Sequence, residues 1–150
     1  MQTANIFQLR DRYFVYPLRK TTAGVWLASP EYVSMPLSAL DEDLGAAVLA
    51  ALPQSDGVVP HPTSWIEVST SRLQAAGAKS EMAFMKEARM VSIKCTDLIQ
   101  LEPHVNEGAT GPQKGFSPMP DRSSSLSSSS SAEDLGAAIR KCLGACRSAL

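Results

Sequence analysis

Glu42-Asp43-Leu44-Gly45-Ala46-Ala47 returns later in the chain as Glu133-Asp134-Leu135-Gly136-Ala137-Ala138, at an offset of 91 residues. The match extends along the apolar positions, with Val48 answering Ile139 and Leu52 answering Leu143. In the first copy Leu44, Ala47, Val48, Ala51 and Leu52 recur at helical spacing and make one stripe. In the second the stripe is Leu135, Ala138, Ile139, Cys142, Leu143 and Cys146. Asp41 is the expected N-cap of the first helix, and Pro53 its expected stop. Ser131 with Asp134 matches the S-x-x-D capping pattern of the second. Such text is also ordinary amphipathic-helix language. What separates it is the glycine, which costs a helix interior about 1 kcal/mol relative to alanine. The same cost at the same helical position implies a close backbone approach there. Both helices are therefore expected to be tightly packed, with each other as the candidate partners.

Each helix follows a strand-like region. Upstream of the first, Tyr13–Leu18, Gly24–Ser29 and Glu31–Met35 are short β-rich runs broken by Gly, Pro and Thr, the pattern of an antiparallel meander over residues 5–37. Pro17 and Pro36 belong at edges or strand ends, because they cannot donate to a ladder. Upstream of the second, Val91, Ile93 and Cys95 alternate with Ser92 and Lys94. After a tight turn at Thr96-Asp97, Ile99 and Leu101 alternate with Gln100 and Glu102, making the clearest hairpin in the chain. A polar loop is expected from His104 to Lys114, and a short strand at Gly115–Met119. Between the two halves, Thr63–Glu67 offers a helix start, Gly77 fits a left-handed cap, and Ser80 caps a short helix to Ala88. The fold class is α+β: antiparallel β-sheets with helices, organised as a strands-then-helix pseudo-duplication.

The chain has 150 residues, 14 Lys+Arg against 15 Asp+Glu, and 44% hydrophobic residues. This suits one domain over residues 1–150. Residues 121–131 read DRSSSLSSSSS. So little apolar side chain cannot offset ordering entropy, so this tract is expected to be a flexible internal linker before a C-terminal helix at 132–147. A net charge of −1 argues against a protein that coats nucleic acid, which needs a Lys/Arg excess. No apolar run reaches the ~20 residues of a membrane span, and no secretory signal is read at the N-terminus. Three cysteines are too few and too odd in number for a disulfide framework. The expected setting is the reducing cytoplasm, with no membrane partner.

No motif carries catalysis. There is no G-x-S-x-G elbow, no catalytic-cysteine signature and no phosphate-cradling glycine loop. Cys142 and Cys146, one turn apart on an apolar stripe, read as core thiols. A C-x3-C without a second pair does not make a zinc site. His61 lies between two prolines, where it packs or caps. No enzyme, cofactor or metal is expected, and binding follows by elimination. Asp41, Glu42 and Asp43 at one helix start, with Glu133 and Asp134 at the other, complement helix dipoles and also form an acidic surface for a basic partner. Glu102, His104, Asn106 and Glu107 are further polar candidates around the second hairpin. A separate reading uses Arg10, Arg12, Tyr13, Tyr16 and Arg19, where basic residues flank aromatics on a strand that could stack single-stranded nucleic acid.

Several stretches in order resemble the immunity proteins of bacterial contact-dependent growth-inhibition systems. They are Val59-Pro60-His61-Pro62-Thr63, Leu73–Ser80, Phe84, Pro103 with Asn106-Glu107-Gly108, Gly115-Phe116, and Ala132–Ala138. The resemblance implies a cytoplasmic, non-enzymatic inhibitor. Its partner would be the cognate C-terminal toxin domain of a large secreted exoprotein, often a nuclease and commonly a tRNase. The strands-then-helix order also resembles the Whirly arrangement, which keeps a single-stranded nucleic-acid-binding module as the alternative. With a basic nuclease site as target, the acidic helix starts and the polar residues around Glu102 are the expected contacts.

Overall fold

A computed structural model describes residues 1–150. The first half runs β1 (Gln2–Gln8), β2 (Arg12–Thr21), β3 (Trp26–Ala28), β4 (Val33–Pro36), α1 (Asp41–Gln54) and β5 (Val58–Val59). Then come α2 (Trp65–Ala76) and α3 (Glu81–Met85). The second half runs β6 (Arg89–Cys95), β7 (Leu98–Asn106), β8 (Phe116–Pro118), β9 (Ser124–Ser127), α4 (Ala132–Ala145) and β10 (Arg147–Ser148).

The two halves repeat one plan. In each, a hairpin pairs a seven-residue strand with a longer one, β1 with β2 and β6 with β7. Two short strands then pair antiparallel with the longer strand, β3 and β4 on β2, β8 and β9 on β7. A 14-residue helix follows, and then a two-residue strand that returns parallel to the long strand, β5 on β2 and β10 on β7. The halves join through β1 and β6, antiparallel and centred on Asn5 opposite Ser92. The result is one ten-stranded sheet.

Hairpin α2–α3 is the insertion that breaks the repeat. It and the helix pair cover opposite faces of the sheet. On one face Ile6, Tyr13, Val15, Val91, Ile93, Ile99 and Leu101 meet Leu44, Val48 and Leu52 of α1 and Leu135, Ile139 and Leu143 of α4. On the other, Phe7, Phe14, Tyr16 and Met90 meet Phe84 and Met85 of α3 and Ala76 of α2. Phe7 sits edge-on to Phe84 at 5.3 Å, and Phe14 stacks on Tyr32 at 5.5 Å. Fully burying each large side chain contributes about 1.5–3 kcal/mol, so both layers are substantial. The central strands are therefore covered on both sides and lose the alternation expected of a half-exposed strand. This is why β1, with its polar Thr3 and Asn5 buried among apolar neighbours, does not stand out in the sequence.

The helix pair meets where the glycines predict. A Cβ on Gly45 would lie 1.7 Å from the backbone oxygen of Ala132, and one on Gly136 would lie 1.6 Å from that of Asp41. Asp41 and Ala132 are themselves equivalent positions of the repeat, the first residue of each helix. The two contacts are thus one contact made twice.

Several expectations change. The serine tract is not a flexible linker. Pro120–Arg122 form a 3-10 turn, and Ser124–Ser127 form β9 along Leu98–Leu101 of β7. The outer edge of β7 offers unpaired N–H and C=O groups, and serine backbone satisfies them without apolar side chains. The tract's one leucine, Leu126, pairs opposite Ile99 and packs on the helix-side core. The C-terminal helix ends at Ala145, and the next residues leave it to form β10. Asp41 is the first helical residue and not the cap. The cap position is Leu40, whose N–H donates to the Asp43 carboxylate at 2.9 Å. Pro53 lies just inside the last turn of α1. Pro17 falls within β2, in the gap between the β4-paired and β3-paired stretches on its outer side. Its carbonyl accepts from Ser29 N–H across that gap, so the ring nitrogen, pointing the same way, deprives no ladder partner.

Gly45→Ala and Gly136→Ala should each lower stability by about 1–3 kcal/mol, because the helices must separate. Gly144→Ala, in the same helix with open space around its Cβ, should instead stabilise by up to about 1 kcal/mol. Urea midpoints of the three variants measure this, and equal effects at Gly136 and Gly144 would refute the close-contact account.

Candidate functional site

The crossing of α1 and α4 brings both helix N-termini, and their acids, to one edge of the molecule. Ser131 Oγ accepts from Asp134 N–H at 3.1 Å, capping α4 as expected. Asp41 is taken up internally. Arg140 donates from Nε to its carboxylate (2.7 Å), from Nη1 to the Tyr13 hydroxyl (2.8 Å) and from Nη2 to the Ala39 carbonyl (2.9 Å). One guanidinium thus ties α4 to β2 and to the entry of α1. Glu42, Asp43, Glu133 and Asp134 remain exposed with no cation paired to them. Each pair suits the positive end of its own helix dipole, and together they make a four-carboxylate edge. Beside it Leu40 is 68% exposed and Leu37 41%. Large apolar side chains next to unpaired charge are what a docking surface needs at its centre and rim.

The other sequence candidates do not converge on this edge. Glu102 is half-buried on the sheet face opposite the helix pair, where it lines a shallow cleft with Ser92, Lys94, Gln100, Ser123 and Ser125. Glu107 follows the end of β7, its N–H bonded to the Gly115 carbonyl. His104 and Asn106 are not loop residues. Strand β7 continues through Asn106, and both side chains are buried, Asn106 to 1% exposure. Asn106 donates from Nδ2 to the carbonyls of Met85 (2.6 Å) and Ala88 (2.9 Å) and accepts from Gly108 N–H (2.9 Å). It therefore pins the α3–β6 junction to the end of β7, and its role is structural. His104 Nδ1 lies 3.1 Å from the Glu102 carbonyl, and burial pushes its pKa below the ordinary 6.5.

The nucleic-acid reading loses its platform. Tyr13 and Tyr16 are buried, one in each core layer, so neither ring can stack a base. Burial also raises the Tyr16 phenol pKa above its usual range. Arg12 pairs with Asp11 (3.0 Å). Arg19 pairs with Glu31 (2.9 Å) and donates to the Gln54 carbonyl (2.6 Å). Arg10 alone of that set projects unpaired. The aromatics are strand residues of a sheet packed on both sides, and no periodicity in the sequence reveals the second layer.

The thiols read as core. Cys142 is buried, and its pKa is pushed up to about 12 by burial. Cys146 is likewise raised by burial, and no disulfide links the three cysteines. His61 contacts Thr21 Oγ1 at 3.0 Å and packs edge-on to Trp65 at 5.5 Å. No helix is long and apolar enough to cross a membrane. Residues missed at the sequence level are Arg140, whose partner Asp41 lies 99 positions away, and Leu37 and Leu40, whose exposure depends on how the chain enters α1.

Asn106→Ala should cost about 2–3 kcal/mol, since it strands two buried carbonyls and an N–H. For His104, whose folded pKa lies below its unfolded value, the native state refuses a proton that the unfolded chain accepts. Its contribution is full above about pH 6.5 and declines as the pH falls toward the folded pKa. Denaturant midpoints across pH 7.5–5.0 should therefore slope down, and His104→Gln should flatten that slope. An unchanged slope would show that His104 titrates normally.

Comparisons with known proteins bear on the family and the fold. The profile of the CDI immunity protein family matches residues 64–146, more than half of the chain. No curated protein matches the sequence significantly. Among solved structures, a chain of the CdiA-CT/CdiI toxin and immunity complex from Yersinia pseudotuberculosis superposes with a TM-score of 0.74 at 21% identity, covering 97% of each chain. A protein of unknown function from Neisseria meningitidis superposes with a TM-score of 0.70 at 18% identity, covering 97% of this chain and 95% of the other. At these identities the structural likeness is one of fold. The family profile goes further, and by it this chain belongs to the CDI immunity protein family.

Proposed function

We propose that this protein acts in the bacterial cytoplasm as an inhibitor, without catalytic activity of its own, of the C-terminal toxin domain of a cognate contact-dependent growth-inhibition exoprotein. The family match over residues 64–146 carries this reading. The toxin is proposed to be a nuclease, with tRNA as its substrate. A nuclease site is lined with positive charge for the RNA backbone, and the four-carboxylate edge is its electrostatic complement. Glu42, Asp43, Glu133 and Asp134 would steer association, and Leu37 and Leu40 would supply apolar contact. A stable complex needs roughly 1,200–2,000 Å² of buried surface in total. Such an interface takes about 20–30 residues a side, so surface next to these residues must share the contact.

The test is co-expression with the toxin domain encoded beside this gene. A stoichiometric complex, survival of the expressing cells and intact tRNA are expected. Toxicity without rescue would end the immunity reading, whereas rescue from a toxin that leaves RNA intact would end only its nuclease part. Glu42→Lys with Glu133→Lys should slow association about tenfold at low salt, with a smaller effect at high salt. Stopped-flow rates that do not change would remove the acidic edge from the interface.

A further inference from the structure

A second charged surface adjoins the carboxylate edge at Leu37, which also lines it. It is framed by the β1–β2 turn, the α2–α3 junction, the α3–β6 junction and the segment after α4. Two cavities of about 470 and 500 Å³ meet there and share Leu9, Arg10, Lys86 and Glu87. Five cations line the joined groove: Arg10, Lys79, Lys86, Arg89 and Arg147. All five are exposed and none is in an ion pair. Of the two acids on its walls, Asp11 is held by Arg12, leaving Glu87 against the five. Concentrating so much unpaired positive charge in one concavity of a chain whose net charge is −1 carries a repulsion cost that an anionic occupant would relieve.

The lining decides what kind of anion. Leu9, Ala76 and Phe84 form an apolar floor at one end. The only aromatic ring lining the groove, Phe84, is buried to 4% exposure, so no base-stacking platform exists for a nucleic acid. We propose that this groove binds an acidic protein segment bearing apolar side chains, supplied by the toxin partner. The inference rests on the immunity reading for the source of that segment, and adds a second contact of opposite charge to the first. Two oppositely charged surfaces on one small protein would fix the orientation of the toxin as well as attract it.

The experiment measures equilibrium binding of three probes at 150 mM salt: the cognate toxin domain, a labelled peptide of alternating Glu-Glu-Leu repeats, and a uridine homopolymer RNA. Binders are the wild-type chain, Arg10→Glu with Lys86→Glu, the neutral Arg10→Gln with Lys86→Gln, and Lys114→Glu with Lys141→Glu as a charge control outside the groove. Melting curves confirm that each variant folds, and the neutral pair keeps the test alive if the reversed pair does not. Expected is a weakening of toxin binding by about tenfold or more in the reversed pair and by several-fold in the neutral pair, with the control within about twofold. The peptide should follow the same order, and the RNA should not bind. Toxin affinity unchanged in both groove variants would overturn the proposal. So would RNA binding that is lost with the groove charges. Failure of the wild-type chain to bind any toxin domain would instead strike the immunity reading. The peptide alone would then decide the groove: binding lost in the reversed pair supports an acidic occupant, and no binding by the wild type ends it.

Discussion

The backbone contact between Gly45 and Ala132, repeated between Gly136 and Asp41, is the constraint on which the rest of the molecule depends. It lets α1 and α4 cross with their backbones touching in the first turns. At that separation the two apolar stripes lie on one sheet face together, and Leu44, Val48, Leu52, Leu135, Ile139 and Leu143 form a single layer. A methyl group in either place would overlap a carbonyl oxygen, so the layer would open from the crossing outward. The same crossing brings two helix N-termini together. Its electrostatic cost is met locally by the acids of each first turn, while Arg140 fixes the Asp41 carboxylate in place.

The sheet obeys a complementary rule. Its two long strands, β2 and β7, each carry several short partners along their length, so few backbone groups are left at an open edge. Strand β9 is built from serine and needs only one apolar side chain, Leu126, to hold its register against the core. Low apolar content argues against independent folding of a segment. It does not argue against pairing with an edge that is already in place. The reasoning that makes a serine tract a linker holds for an isolated chain and fails beside β7.

The functional surfaces divide in the same way. The acidic residues Glu42, Asp43, Glu133 and Asp134 are near in sequence only within each pair, and the helix crossing merges the pairs into one edge. The basic groove is assembled from four separate junctions, and its cations are scattered from Arg10 to Arg147. Asn106 and His104, polar and close to a glycine-rich stretch, look like surface from their neighbours in sequence. They are buried because β7 runs on through them.

The sequence by itself determined the local elements. The apolar periodicity of α1 and α4, the caps at Ser64, Ser80, Ser131 and Gly77, and the turn at Thr96-Asp97 all depend on residues within a few positions of one another. The repeated glycine even signalled a close contact, because a helix carries such a cost only where something must approach it. Only the tertiary structure decided which surfaces became available. Tyr13 and Tyr16 are hidden because α1, α4, α2 and α3 cover both sides of one sheet. Arg140 meets Asp41, and five cations meet around one groove, because strands distant in sequence pair in a particular order. Periodicity reports which face of an element is apolar, whereas exposure depends on what the remainder of the chain lays over the other face.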